Sequence, residues 1–125
     1  MKVVAMIRNF LGRGHERSVR AKKHVLLSVL FKGIGVLIGS LALKAEGEER
    51  RAANRSLLID EKGEITARYD KIHMFEADLG AQGRYREATS YRPGERAVVA
   101  NAGWAQLGLT ICYDLRFPAL YRALA

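Results

Sequence analysis

Cys112 is the only cysteine in the 125-residue chain, and its neighbours are of kinds that can make a thiol react. It sits in Leu107-Gly108-Leu109-Thr110-Ile111-Cys112-Tyr113-Asp114-Leu115-Arg116-Phe117-Pro118. The apolar run 107–111 predicts a strand, and a proline-started stretch, 118–125, predicts a helix. A sulfur at the turn between them would be presented to a substrate, with oncoming backbone N–H groups able to hold an oxyanion. A helix start also favours the thiolate. The competing reading of a lone cysteine after an apolar strand is a small buried hydrophobe.

Lys71 is the second candidate. Residues 54–60 and 65–75 read as two strands joined by a tight turn at Lys62-Gly63, which predicts a hairpin. Lys71 falls at the end of the second strand and is followed by apolar Ile72, Met74 and Phe75. A lysine so placed can act as a fixed cation beside a reacting centre, whereas most lysines are simply solvated.

Stepping outward, five blocks in order resemble the nitrilase superfamily of carbon–nitrogen hydrolases. They are Gly39-Ser40; residues 54–60; Tyr69-Asp70-Lys71-Ile72-His73-Met74-Phe75; Tyr85-Arg86-Glu87 with Pro93-Gly94-Glu95; and Cys112-Tyr113-Asp114-Leu115-Arg116-Phe117-Pro118. The last block is most similar to the branch that holds deaminated glutathione amidases and omega-amidases. The resemblance covers about residues 35–125. It implies an α/β fold, part of an α-β-β-α sandwich, and predicts a domain at 34–125, truncated at both ends, behind a non-matching leader at 1–33.

The resemblance also implies roles. Cys112 matches the nucleophile that attacks an amide or nitrile carbon to give a thioester-type intermediate. Lys71 matches the lysine that stabilises the developing oxyanion, together with the N–H of Tyr113. Glu87 matches a glutamate that positions that lysine and the substrate. Amide cleavage needs these parts, a nucleophile and oxyanion donors, and also an acid/base for the leaving amine. The family takes its general base from a glutamate on an early strand, usually after a proline. The only acid here before Glu46 is Glu16, with no strand or proline leading into it. Two readings follow: a cysteine amidase of small carboxylate-bearing amides, or a catalytically incomplete piece of one. Arg116 and Arg84, by charge type and position, are the candidates for pairing with a substrate carboxylate.

Charge supports a third, weaker reading. Residues 1–32 hold Lys2, Arg8, Arg13, Arg17, Arg20, Lys22, Lys23 and Lys32 against Glu16 alone, while the whole chain is +8. The basicity therefore belongs to the leader, which invites a nucleic-acid or membrane-surface role. The leader has no base-reading motif, and Phe10 is its one aromatic among 1–30, so a solvated segment is expected instead. Residues 25–43 approach membrane-spanning length, but Lys32 interrupts them at a cost of about 2.5–3.5 kcal/mol. Gly33, Gly35 and Gly39 break the run further, so a helix at 22–31 and a buried strand at 36–43 are expected. Neither nucleic acid nor membrane is an expected partner.

The remaining elements are connections. Residues 45–53 read as a charged loop. Residues 76–94, with Gly80, Gly83, Pro93 and Gly94, read as a long loop of the functional kind, carrying Glu87 with Tyr85 and Tyr91 as pocket walls. Residues 97–100 and 107–111 read as strands, with Trp104 packed at a strand entrance. One cysteine and three histidines without ligand spacing make no zinc site, and no dinucleotide or phosphate loop is present, so neither metal nor cofactor is expected. His73 is expected to pack, on the lysine's face if the strand continues. A lone thiol fits a reducing, cytoplasmic setting. The resemblance implies a homo-oligomer.

Overall fold

A computed structural model describes residues 4–6, 34–44, 50–78 and 80–125. The expected helix at 22–31 and Glu16 lie outside the described residues. The main sheet runs β1 (Val4–Met6), β2 (Val36–Lys44), β3 (Ala52–Ile59) and β4 (Ile65–Asp70) in spatial order, with β7 (Tyr91–Arg92) also paired to β3. β1 lies parallel to β2, so the segment expected as a solvated leader contributes at Val4–Met6 an edge strand. β2–β3 and β3–β4 are antiparallel. Two short hairpins complete the strands: β5 (Glu76–Asp78) with β6 (Arg84–Arg86), and β8 (Val99–Asn101) with β9 (Gln106–Gly108). Helix α1 (Pro118–Leu124) starts on proline, whose missing N–H costs nothing in a first turn.

β3 is the spine because its side chains are buried on both faces: Ala53, Ser56, Leu57, Leu58 and Ile59 are all shielded. Each large aliphatic so buried stabilises the fold by about 1.5–3 kcal/mol. Leu58 joins Tyr69, Ala100, Leu109 and Ile111 in one core cluster. That cluster puts the strand leading to Lys71 and the segment leading to Cys112 on a shared foundation.

The expected hairpin forms. Asp60 Oδ1 accepts the N–H groups of Lys62 and Glu64, both at 2.9 Å, and Gly63 takes φ 86°, open to glycine at no steric cost. Several expectations are corrected. The loop at 45–53 gives way at Ala52 to β3, because apolar 52–53 pair with β2 and β7. The long loop at 76–94 contains β5, β6 and β7, held by backbone pairing that its polar side chains do not signal. The strand expected at 107–111 is a strand at Gln106–Gly108, and its pairing goes one bond further, Leu109 N–H to Val98 O at 3.0 Å. β2 is half-buried rather than buried. Trp104 is 56% exposed, since the turn it sits on, opened by Gly103 at φ 83°, lifts it off the core. No helix among the described residues is long and apolar enough to cross a membrane.

Candidate active site

Lys71 follows directly on β4, and its backbone is pinned from both sides. Its N–H donates to Asn54 O at 2.9 Å, and its carbonyl accepts the Gly94 N–H at 2.8 Å. Only glycine allows that second contact, because a Cβ at position 94 would lie 2.1 Å from the Asp70 carbonyl oxygen. The side chain, 2% exposed, places Nζ 2.5 Å from Glu87 Oε2. The same oxygen accepts the Phe75 N–H at 2.8 Å. A buried ammonium is costly unless paired, and Glu87, itself buried, pairs it.

Cys112 begins a short 3-10 turn, Cys112–Arg116, rather than the α-helix, which starts six residues later. It is exposed, not a buried hydrophobe. Its φ of 51° lies in the left-handed region, which costs a non-glycine residue about 1–3 kcal/mol. It is the only described non-glycine residue in that region, and such strain gathers where a reactive side chain must be held out of line.

The conformation is held from behind by Asp114, which is fully buried. Its Oδ2 accepts the Tyr69 hydroxyl at 2.6 Å and the Ile111 N–H at 2.9 Å. Its Oδ1 accepts the His73 N–H at 3.0 Å and lies 2.8 Å from His73 Nδ1. Burial alone would raise the Asp114 pKa, but the bonds from Tyr69, Ile111 and His73 outweigh it and hold the carboxyl below its usual range. Burial and the neighbouring Asp114 carboxylate push the Tyr69 phenol well above its ordinary value. His73 does not share the lysine's face: β4 ends at Asp70, and the ring turns to Asp114 and stacks on Phe117 at 3.6 Å. Sequence reasoning missed Asp114 and Tyr69, whose one signal was membership of the two motif blocks.

Lys71, Glu87 and Cys112 line one cleft of about 290 Å³, with Ser40, Ala42, Asn54, Phe75, Tyr85, Tyr91 and Ile111. Ser40 reaches this wall from a bulge in β2 and donates to Asn54 Oδ1 at 2.7 Å. Burial, with Tyr85 and Glu87 nearby, raises the Tyr91 phenol's pKa. Tyr113 packs edge-on between Phe75 and Phe117, at 5.1 and 5.4 Å, which joins the lysine loop to the nucleophile turn. Arg84 and Arg116 are not brought to the cleft. Arg84 pairs with Glu76 at 3.3 Å across the β5–β6 hairpin, and Arg116 is exposed on the turn. Among the described cleft residues Glu87 is the sole carboxylate. Among the described residues no group of three or more His, Cys, Asp or Glu side chains is placed to hold a metal ion.

A buried lysine–glutamate pair and a strained cysteine on one cleft, carried by this sheet, belong with a known class: the chain is a member of the carbon–nitrogen hydrolase family, whose model matches residues 32–125. It is 46% identical over 93 residues to a deaminated glutathione amidase of Yersinia enterocolitica, covering 74% of this chain and 32% of that protein. An omega-amidase of Saccharomyces cerevisiae is 27% identical over 85 residues, covering 68% of this chain and 29% of its own length. The chain thus spans about a third of the length of the curated relatives it matches.

Solved structures agree on the fold. The Caenorhabditis elegans NitFhit protein superposes with a TM-score of 0.79 at 24% identity, over 94% of this chain and 31% of that one. An amidase of the nitrilase superfamily from Nesterenkonia sp. AN1 gives 0.67 at 27% identity, over 87% of this chain and 38% of its own. That structure is of a point mutant of the amidase, with the acetamide moiety of fluoroacetamide covalently attached to the active-site cysteine.

Proposed function

We propose that this chain carries the nucleophile side of a cysteine amidase site. The observation that supports it most is the Lys71–Glu87 pair, buried at 2.5 Å and opening on the same cleft as Cys112. On this reading the Cys112 sulfur attacks the amide carbon, and the carbonyl π-electrons move to oxygen. The oxyanion is met by the Lys71 ammonium and the Tyr113 N–H, in a site that needs no reorganisation as charge develops. The oxyanion electrons then return to re-form the carbonyl, and the C–N bond breaks. The amine leaves with the proton the thiol gave up, and a thioester remains for water to hydrolyse to the carboxylate and the free thiol. Glu87 keeps the ammonium aimed rather than serving as a free base, because its Oε2 is committed to Lys71 and the Phe75 N–H.

Relatives named for deaminated glutathione favour a small carboxylate-bearing amide as substrate. Its carboxylate would have to be met from outside the described cleft wall, since Lys71 there is already paired with Glu87. The substrate would be the small-molecule partner, and a reactive thiol suits the reducing cytoplasm. Leu115, 72% exposed on the nucleophile turn, and exposed Tyr121 on α1 favour pairing of chains, read by sedimentation velocity.

The pairing of Glu87 also favours a second reading, in which the chain acylates but turns over slowly because the one described cleft carboxylate is engaged with Lys71 through Oε2. Mixing the chain with an activated ester and following leaving-group release and intact mass tests both. One equivalent released with an acyl adduct on Cys112, absent in Cys112→Ala, is the expected result. Continued release after that burst marks the amidase, and a stall marks the incomplete site. An adduct that survives in Cys112→Ala would overturn both.

A further inference from the structure

We propose that Asp114 is a positioning residue that sets the lysine and the cysteine in mutual register. Its four contacts are distributed in a telling way. One goes to Tyr69 and two to His73, the residues two before and two after Lys71, and the fourth goes to Ile111, the residue before Cys112. A single carboxylate, 0% exposed, therefore ties the segment that aims the ammonium to the segment that aims the sulfur. Among the described residues no backbone–backbone hydrogen bond does this directly: Lys71 is pinned to Asn54 and Gly94, while the Cys112 turn closes on itself through Asp114 N–H to Ile111 O at 3.2 Å. Asp114 does not line the cleft, and neither does Tyr69, so neither can touch a substrate there.

The chemistry makes the choice of residue specific. Three of the four partners can only donate as they stand: two backbone N–H groups and the phenol, whose hydroxyl points at Oδ2. An ionised carboxylate is acceptor-only on both oxygens and satisfies them all. An asparagine would turn an NH2 toward donors on one side, and a glutamate would push the charge about one methylene too far. The expected consequence is a displaced Cys112 relative to Lys71. Loss of near-attack geometry by about 1 Å is worth on the order of 10²-fold.

This inference rests on the amidase reading, and the experiment separates the two. Acylation of Cys112 by p-nitrophenyl acetate needs the oxyanion donors; alkylation by iodoacetamide needs only the sulfur. In Asp114→Asn the acylation rate should fall on the order of 10²-fold while alkylation stays within about twofold. Tyr69→Phe removes one of the four contacts outside the cleft and should lower acylation about three- to tenfold, again sparing alkylation. It also serves if Asp114→Asn does not fold. Asp114→Glu should not rescue. Equal loss of both reactions would reduce Asp114 to a structural residue and overturn the proposal, as would no loss of either. Lys71→Ala is the control: if it slows acylation and Asp114→Asn does not, the Asp114 proposal alone falls. If Lys71→Ala leaves acylation unchanged, the amidase reading falls and the proposal with it.

Discussion

Lys71 and Glu87, sixteen residues apart in the chain, form a buried ion pair at 2.5 Å, and the oxygen that takes the ammonium also takes the Phe75 N–H. That shared oxygen fixes the lysine's direction as well as its charge. It also closes the β5–β6 hairpin against the strand end, since the Glu87 N–H donates back to Phe75 O at 2.9 Å.

Removing the carboxylate should therefore do two things at once. Glu87→Ala leaves a buried ammonium without its counter-ion, a change that costs about 3–5 kcal/mol. Glu87→Gln keeps an acceptor for the Phe75 N–H and should cost less, yet still weaken acylation of Cys112 by roughly tenfold or more, the worth of a charge-assisted bond. Urea denaturation and single-turnover acylation of the two variants check this; a Glu87→Gln variant as stable and as fast as the parent would show that the charge is not what matters.

Gly94 should tolerate no side chain. A Cβ there would stand 2.1 Å from the Asp70 carbonyl oxygen and 2.9 Å from the Asp70 Cβ, so β4 must move. Asp70 is not free to yield, because both its oxygens are held by Arg55, at 2.5 and 2.8 Å. Overpacking of this kind costs about 1–3 kcal/mol. Because the Gly94 N–H also holds the Lys71 carbonyl, Gly94→Ala should lower acylation more than it lowers the alkylation rate of Cys112. A urea midpoint unchanged from the parent would refute the close approach.

Stability should fall in acid along a limb set partly by Asp114. Its folded pKa is depressed, so its contribution is fully present above the unfolded value of about 3.9 and is lost as pH falls through the lower folded value. Asp114→Asn should flatten the fall in Tm below about pH 4, the unfolded carboxylate range. Tyr69 acts at the other end: a phenol raised in the fold contributes below about pH 10 and loses its effect above. Thermal melts from acid to alkaline pH on the parent, Asp114→Asn and Tyr69→Phe measure both limbs, and parallel acid limbs for parent and Asp114→Asn would remove Asp114 as a source.

The hairpin and the placing of Lys71 and Cys112 at the ends of their segments were readable in the sequence for local reasons. Asp60, Gly63 and the alternating strands around them are short-range signals, and so is the proline that starts α1. The pairing of Lys71 with Glu87 was readable only through resemblance, since nothing in spacing alone brings residues sixteen apart together. Asp114 was hidden for a different reason. Its partners Tyr69 and His73 are over forty residues away, and a buried carboxylate looks like a solvated one until its donors are seen. Trp104 failed in the opposite sense: size pointed to the core, but the Gly103 turn held it outside.

Arg84 and Arg116 give the last prediction, because charge type marked them as carboxylate partners and the fold places them elsewhere. Arg84 shares Glu76 with Arg86 on the outer hairpin, and these bonds are strong enough to draw the exposed Glu76 carboxyl below its usual range. Arg116 lies on the nucleophile turn but outside the cleft wall, whose described cation is Lys71, already matched by Glu87. An added anionic group on a substrate would find no spare positive charge among those residues. Arg84→Ala and Arg116→Ala should therefore leave the ratio of acylation rates for an anionic and a neutral ester within about twofold of the parent, and exposed ion pairs of the Arg84 kind contribute only about 0–1 kcal/mol to stability. A selective loss for the anionic ester in either variant would show that the side chain swings into the cleft when substrate binds, and would restore that arginine as the specificity residue.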